Sequence, residues 1–201
     1  MDIKKININN RYSELYIIDN LFTASEIFGI FKEASDASYA KKNYDTTIDS
    51  ILPVHNKWRC NLNIDELMNI ELLPNKIQKI FSQILHQSEA TIDIIASYIN
   101  YSDCFTVDKL HVDKYNEYVH SPYTILIYGN HEWSYDWRGE TLFFNDQLSE
   151  VVYTSMIKPG RVVVFDSRIP HTATPPSLIS PYPRYTYAIK AQLLNSNENT
   201  I

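Results

Sequence analysis

Three residues in the second half of the chain could bind a metal ion together. His111 and Asp113 are separated by one residue, and His171 follows later. Because residues two apart on a strand point to the same face, His111 and Asp113 can converge on one ion. Two imidazoles and one carboxylate form a site that suits Fe(II) and leaves coordination positions open. The tripeptide alone is unspecific, since a strand end with two polar residues would look the same.

A basic residue near the end of the chain could bind an anion that also reaches the metal. Arg184 and Thr186 share one face of the last predicted strand. A guanidinium pairs with a carboxylate through two hydrogen bonds, and a neighbouring hydroxyl adds another. This pair suits a dicarboxylate whose other end chelates the metal. Taken singly, His171 could be a loop histidine and Arg184 a partner in a surface salt bridge, so only the combination is informative.

The elements that must position these residues are predicted to be strands. From residue 91 onward, short strand-like segments alternate with turn signals such as Pro159-Gly160. The predicted strands are 91–101, 105–112, 122–129, 140–144, 150–157, 161–166, 169–174 and 184–194. Short strands at this spacing favour an all-β sandwich or barrel over alternating βαβ units.

The first 90 residues are predicted to be mostly helical support. Thr23 and Glu26 form a capping-box pattern at the start of an amphipathic helix predicted over 23–38. A second helical period runs over 64–87, where Pro74 favours two helices rather than one.

The remaining segments complete a single predicted domain over 1–201. The β-branched runs in 1–22 indicate one or two strands at a sheet edge. Residues 39–63 are predicted to be irregular, and 195–201 to be a polar tail. The β-rich core therefore spans 91–194, with 1–90 packed against it.

Composition limits the classes of partner. Hydrophobic residues make up 44% and charged residues 21%, which is ordinary for a folded soluble protein. The net charge is −6, and the only short basic clusters are lysine pairs, which does not favour a nucleic-acid partner. No glycine-rich phosphate motif occurs. Two cysteines without a CxxC pair, and the absence of a long apolar run, predict a cytoplasmic protein without a membrane span.

The ordered motifs of residues 91–194 resemble the 2-oxoglutarate/Fe(II)-dependent oxygenases, specifically the prolyl 4-hydroxylase-like branch. Besides the metal-ligand pattern and the Arg-x-Thr pair, the resemblance rests on three segments. They read TILIYGN at 124–130, RGETLF at 138–143 and KPGRVVVF at 158–165. The sequence departs from the family pattern at Arg138, where a glycine is usual, at Gly129, where a leucine is usual, and at Asp108, where many relatives carry a tyrosine.

The resemblance implies an α+β, mainly β fold: a double-stranded β-helix, or jelly roll, with supporting N-terminal helices. It implies an enzyme that uses Fe(II), 2-oxoglutarate and dioxygen, with ascorbate as an optional reductant. The expected reaction hydroxylates a small molecule or a peptidyl, including prolyl, substrate and releases succinate and CO2. Because related halogenases replace the carboxylate ligand with a small residue, Asp113 favours hydroxylation.

The resemblance also assigns roles to six residues. His111, Asp113 and His171 are the expected catalytic iron ligands. Arg184, helped by Thr186, is expected to bind the distal carboxylate of 2-oxoglutarate. Tyr123 is a candidate second anchor, although it could equally be a core aromatic residue.

Other interpretations stay open. The aromatic loop 130–138 could be a lid over the site or a packed connector. A non-catalytic β-helix binding or sensor domain could keep the fold without turnover. A cupin-type metalloenzyme would usually bring more histidines into one motif and would not need Arg184.

Overall fold

A large antiparallel sheet forms the centre of the molecule. The computed structural model describes residues 1–41, 58–62, 73–85, 91–113 and 122–194. Within these ranges the larger sheet has eight strands. In spatial order they are β1 (Asp2–Lys5), β2 (Leu15–Asp19), β9 (Val162–Asp166), β6 (Pro122–Tyr128), β11 (Arg184–Leu194), β5 (Thr91–Ser102), β4 (Trp58–Leu62) and β3 (Ala40–Lys41).

A smaller antiparallel sheet packs against one face of the larger one. It consists of β7 (Thr141–Phe144), β8 (Val151–Ser155) and β10 (His171–Ala173), with β7 in the middle. Phe143 on β7 is fully buried and packs edge-on against Phe165 of β9, with ring centroids 5.0 Å apart. The two sheets therefore share an apolar core.

Two helices cover the other face of the larger sheet. Helix α1 (Ala24–Asp36) begins after Thr23, whose side chain and that of Glu26 form the predicted capping box. Helix α2 (Leu73–Ile84) buries Ile77, Ile80 and Phe81 against the sheet. Because both faces are covered, β9 and β6 are buried along their whole length, which explains their continuous apolar sequences.

Most predicted elements are confirmed, with their ends shifted by at most three residues. The helix predicted over 23–38 and all the strands predicted after residue 91, except 105–112, are found. Trp58–Leu62 is a strand, so the prediction that 39–63 is irregular was wrong there. Strand β4 extends the sheet by pairing with β5. The predicted helix before Pro74 and the tail 195–201 lie outside the described residues.

The strand predicted over 105–112 was wrong. Asp103 ends β5 with a turn, in which its carboxylate accepts hydrogen bonds from the Phe105 amide (3.0 Å) and the Thr106 hydroxyl (2.9 Å). Beyond the turn the chain pairs with no other strand of the described residues, and Phe105 is 71% exposed. Within those residues, His111 forms an isolated bridge to His171. The β-branched composition was therefore not sufficient for a strand.

The four strands before residue 90 show that this part of the chain does more than supply helices. Strands β1 and β2 extend the larger sheet from β9, and β3 and β4 extend it from β5. Within the described residues, no helix is long and apolar enough to span a membrane.

Candidate metal and anion site

A short loop and strand β10 bring the three predicted metal ligands together. The amide of His111 donates to the carbonyl of His171 (3.0 Å), and the amide of His171 donates to the carbonyl of His111 (2.9 Å). Two residues later, the Asp113 amide donates to the Ser167 carbonyl (3.0 Å). Asp108 adds a further tie, since its side chain accepts from the Ala173 amide (3.3 Å). These bonds fix the loop on β10 and on the turn after β9.

The ligand atoms of His111, Asp113 and His171 all lie within 4.8 Å of one another. Nε2 of His111 is 3.9 Å from Oδ1 of Asp113, and Nε2 of His171 is 3.7 Å from Oδ2. Ligand atoms at right angles around a metal, at about 2.1 Å from it, are about 3 Å apart. The three side chains therefore need to close by only about 1–2 Å to hold one ion.

Both imidazoles are oriented with Nε2 toward the centre of the triad. Nδ1 of His111 lies 2.6 Å from the carbonyl oxygen of Lys109, and Nδ1 of His171 lies 2.8 Å from that of Ile169. A carbonyl can only accept, so Nδ1 carries the proton and Nε2 keeps its lone pair. Burial lowers the pKa of His171 to about 4, which leaves this ring neutral at pH 7. Neutral imidazole is the form that binds metals.

Asp113 is held by groups that the sequence did not reveal. Lys190 on β11 donates to Oδ2 of Asp113, and the Thr124 hydroxyl on β6 donates to the same oxygen at 2.7 Å. Since the Thr124 proton is used in this way, the Ser167 hydroxyl, 2.7 Å away, must donate to Thr124. Burial opposes ionisation, but the positive charge of Lys190 and the hydrogen bonds from Lys190 and Thr124 outweigh it. The pKa of Asp113 lies well below its usual range.

Arg184 and Thr186 lie on the same face of the larger sheet as these groups. The guanidinium of Arg184 is buried, with Nε donating to the Gly139 carbonyl (2.8 Å) and NH2 donating to the Thr141 hydroxyl (3.0 Å). NH1 is 3.4 Å from the Thr186 hydroxyl. Burial lowers the pKa of this guanidinium, but arginine stays protonated in proteins. Arg184 therefore places a desolvated positive charge on this face of the larger sheet.

This cation forms no ion pair with a carboxylate of the described residues. The Tyr128 hydroxyl lies 2.9 Å from that of Thr141, which makes the surroundings of Arg184 rich in hydroxyls. Ser155 pairs with Thr141 across β7 and β8, so both side chains share a face, and the buried Ser155 hydroxyl has no hydrogen-bond partner among the described residues. The charges of Asp108 and Glu140 act on Arg184 without direct contact, and a buried charge that lacks a direct ion pair is costly. The pocket thus fits an incoming carboxylate.

Between the two ends, strands β11 and β6 contribute apolar side chains to this face. Thr186 and Lys190 are four residues apart on one face of β11, a separation of roughly 13 Å along the strand. Between them on that face lies Ala188, whose cross-strand partner is Leu126. Ala188 and Leu126 are both buried, so the stretch between the guanidinium and the triad is apolar on these two strands.

Tyr123 does not join this group. Its side chain lies on the opposite face of β6, packed against Phe81 of α2 with ring centroids 5.3 Å apart. Its hydroxyl donates to Glu14 (2.8 Å), so the core-aromatic interpretation describes its position. Tyr128 lies beside Arg184 instead. Strand parity could have identified it, because Tyr128 is an even number of residues from Thr124 and is the cross-strand partner of Thr186.

The aromatic loop 130–138 packs closely against the protein. The Trp133 indole donates to the Arg138 carbonyl (2.8 Å), and its ring stacks edge-on against Trp137 at 5.6 Å. A Cβ atom added to Gly139 would come within 2.7 Å of Ile157 and 3.4 Å of Arg184. These contacts describe a packed connector that closes the Arg184 pocket; the lid interpretation stays a prediction.

The comparisons with known proteins support the fold. No protein-family model matches the sequence, and no curated protein matches it. A solved prolyl hydroxylase from Trichoplax adhaerens, in complex with a peptide of the hypoxia inducible factor oxygen degradation domain, is similar with a TM-score of 0.62 and 17% identity, over 90% of this chain and 83% of the other.

Two bacterial structures are also similar to this chain. A Pseudomonas putida prolyl-4-hydroxylase has a TM-score of 0.57 and 11% identity, over 90% of this chain and 93% of the other. HygX from Streptomyces hygroscopicus, solved with nickel and 2-oxoglutarate bound, has a TM-score of 0.60 and 10% identity, over 89% and 82%. At this identity the likeness concerns the fold alone: the chain has the fold of prolyl hydroxylases and other 2-oxoglutarate/Fe(II) oxygenases.

Proposed function

We propose that this protein is an Fe(II)- and 2-oxoglutarate-dependent dioxygenase that hydroxylates a small-molecule or peptide substrate and releases succinate and CO2. Its two sheets would then be the halves of a double-stranded β-helix. The observation that carries the proposal is the shared face of the larger sheet. On that face, a His–Asp–His triad lies at one end and a buried, unpaired guanidinium at the other. A non-catalytic domain would have no need for both.

The triad fits Fe(II) by its chemistry. His111, Asp113 and His171 would hold the ion through Nε2 atoms and a carboxylate, leaving positions for the co-substrate and dioxygen. When bound, the iron would be the centre at which dioxygen and the decarboxylation of 2-oxoglutarate together oxidise the substrate. Lys190 and Thr124 keep the Asp113 carboxylate ionised and oriented.

The Arg184 pocket fits the distal carboxylate of 2-oxoglutarate. Its guanidinium and the hydroxyls of Thr186, Thr141 and Tyr128 would neutralise and hydrogen-bond that group, with a further hydroxyl at Ser155. Burial of the pocket excludes water and fixes the other end of the co-substrate toward the metal. The side chain of His111 is the most exposed of the triad, at 35%, so the substrate is expected to approach from its side.

Ligand binding under anaerobic conditions tests the proposal. Fe(II) and 2-oxoglutarate together should give a weak visible charge-transfer band in the wild type. His111→Ala and Asp113→Ala should remove the band, while circular dichroism shows that both variants are folded. A folded wild-type protein without the band would refute the oxygenase interpretation. Succinate formation above the uncoupled background, with a gain of one oxygen by mass spectrometry, would then identify the substrate.

A further inference from the structure

The face that carries the triad continues into a polar wall on β5 and β4. Arg59 on β4 lies opposite Asn100 on β5, and Asn100 lies opposite Thr186 on β11. In the next row, Tyr98 lies opposite Ala188. Because cross-strand partners point to the same face of a sheet, these side chains border the space between Arg184 and the triad. We call Arg59, Tyr98 and Asn100 the polar wall.

The ring of Tyr98 lies between two cations. The guanidinium carbon of Arg59 is 3.4 Å from the ring centroid, and Nζ of Lys190 is 5.9 Å from it. Burial and the negative charge of Asp113 raise the pKa of Tyr98, so its hydroxyl keeps its proton at neutral pH. That charge acts on Tyr98 because the wall lies close to the triad. Lys190 already pairs with Asp113, which leaves Arg59 as the cation that could serve a ligand.

Two buried polar atoms of the wall have no hydrogen-bond partner within the part of the chain that the structure describes. Asn100 is 5% exposed, and its Oδ1 atom is one of them. Nε of Arg59 is the other. Buried polar atoms in native proteins are nearly always hydrogen-bonded, so two such atoms on neighbouring residues require an explanation. A ligand that lies on the wall, accepts from Arg59 and donates to Oδ1 of Asn100 would supply one.

We propose that the polar wall is the substrate subsite and that it takes a substrate bearing a carboxylate. The guanidinium of Arg59 would pair with that carboxylate, the Tyr98 hydroxyl would donate to it, and the Asn100 amide would orient the rest of the molecule. The inference rests on the proposed function for its place beside the metal. A neutral peptide would leave Arg59 unmatched at the wall, which disfavours that class of substrate.

Binding to the inert Ni(II)–2-oxoglutarate form tests the subsite without turnover. The probes are the proteinogenic L-amino acids, their methyl esters, and aspartate and glutamate with acetylated amino and amidated carboxyl ends. Calorimetry should find at least one acid that binds about tenfold or more tightly than its methyl ester, which lacks the carboxylate. Binding of a free amino acid would place the carboxylate on a small metabolite. Binding of a capped acid alone would place it on a peptide side chain.

Variants link such binding to the wall. Arg59→Gln should weaken the binding of that acid by about tenfold or more and leave the affinities for Ni(II) and 2-oxoglutarate unchanged. Tyr98→Phe keeps the ring and should weaken the binding of the acid several-fold. This variant provides a second test should Arg59→Gln fail to fold. Arg11→Gln is the matched control, because Arg11 also lies over a tyrosine ring, that of Tyr12, at 5.5 Å. Arg11→Gln should leave the affinities for the acid, Ni(II) and 2-oxoglutarate unchanged.

Two results separate this inference from the proposed function. No preference for any acid over its ester, in the loaded and in the metal-free protein, would overturn the carboxylate subsite even where the iron–2-oxoglutarate band is present. Acid binding that depends on Arg59 in a protein that shows no such band would support the subsite and refute the oxygenase.

Discussion

The two faces of β6 are equally buried but are used differently. Every residue of the strand is buried, so burial does not distinguish them. Tyr123, Ile125 and Ile127 belong to the core under the helices, whereas Thr124 and Tyr128 contact the triad and the surroundings of Arg184. What a side chain is buried against therefore decides its role.

Strand β11 repeats the division. Tyr185, Tyr187 and Ile189 pack toward the helices, and the Tyr187 hydroxyl donates to the Ile30 carbonyl on α1 (2.9 Å). Arg184 and Lys190 lie on the other face with the site. We call these the helix face and the site face. Substitutions on the helix face should change the free energy of unfolding, and substitutions on the site face should change ligand affinity.

The largest expected effect is on the helix face. Phe81 is fully buried between α2 and the sheet, so Phe81→Ala should lower the free energy of unfolding by about 3–5 kcal/mol through lost burial and a cavity. Urea denaturation would measure it. Phe28→Ala, at a position 55% exposed on α1, is the control and should cost about 1 kcal/mol or less. A loss of 2-oxoglutarate affinity in folded Phe81→Ala protein would contradict the division.

The second-largest expected effect is at Arg184, the proposed 2-oxoglutarate anchor on the site face. Arg184→Met should weaken 2-oxoglutarate binding by about 100-fold, or about 2.7 kcal/mol, because the carboxylate loses a buried cation. Calorimetry with Ni(II) present would measure this, and Ni(II) affinity should be unchanged. Arg184→Lys should retain part of the binding. Unchanged co-substrate affinity in Arg184→Met would assign the anchor to another cation, such as Arg161 or Arg168.

A matched pair of tyrosines on β6 isolates the effect of the face. Tyr128→Phe and Tyr123→Phe each remove one buried hydroxyl, and each should lower the free energy of unfolding by about 1–2 kcal/mol. Only Tyr128→Phe should also weaken 2-oxoglutarate binding, by about 5- to 10-fold, because only that hydroxyl reaches the Arg184 pocket. Equal losses of co-substrate affinity in the two variants would show that the faces do not divide the roles.

The sequence predicted the ligand residues of the site better than the residues that hold them. The triad and the Arg184–Thr186 pair follow local motifs, and the structure brings the three triad residues together at one end of the face and places Arg184 beside Thr186 at the other. Lys190, Thr124 and Ser167 were missed because their meeting depends on how β6 registers against β11 and β9, which no local pattern specifies.

Parity and pairing explain the remaining errors. Tyr123 was predicted to be either a second anchor or a core aromatic residue, and parity favours the second, because it lies an odd number of residues from Thr124 and faces the helices. Residues 105–112 have strand composition without a partner, and β4 has a partner without strand composition. Both depend on tertiary contacts, which decide strand formation more strongly than intrinsic preference.

The smallest expected effect concerns an ion pair at the end of β2. Asp19 accepts from Nε and NH2 of Arg161 at 2.9 and 3.0 Å, and Lys158 lies 3.2 Å away. The hydrogen bonds from Arg161 hold the pKa of Asp19 below its ordinary value, although burial opposes them.

A carboxyl pKa that is lower in the folded state stabilises the fold above the unfolded value, which for Asp is about 4, and this stabilisation is lost as the pH falls through the folded value. Asp19→Asn should therefore cost about 1 kcal/mol or less at pH 7 and progressively less below pH 4, as urea denaturation at both pH values would show. The substitution also frees Arg161 from its carboxylate, yet 2-oxoglutarate affinity should stay unchanged if Arg184 is the anchor. A rise in that affinity would instead show that Arg161, once released, competes for the co-substrate.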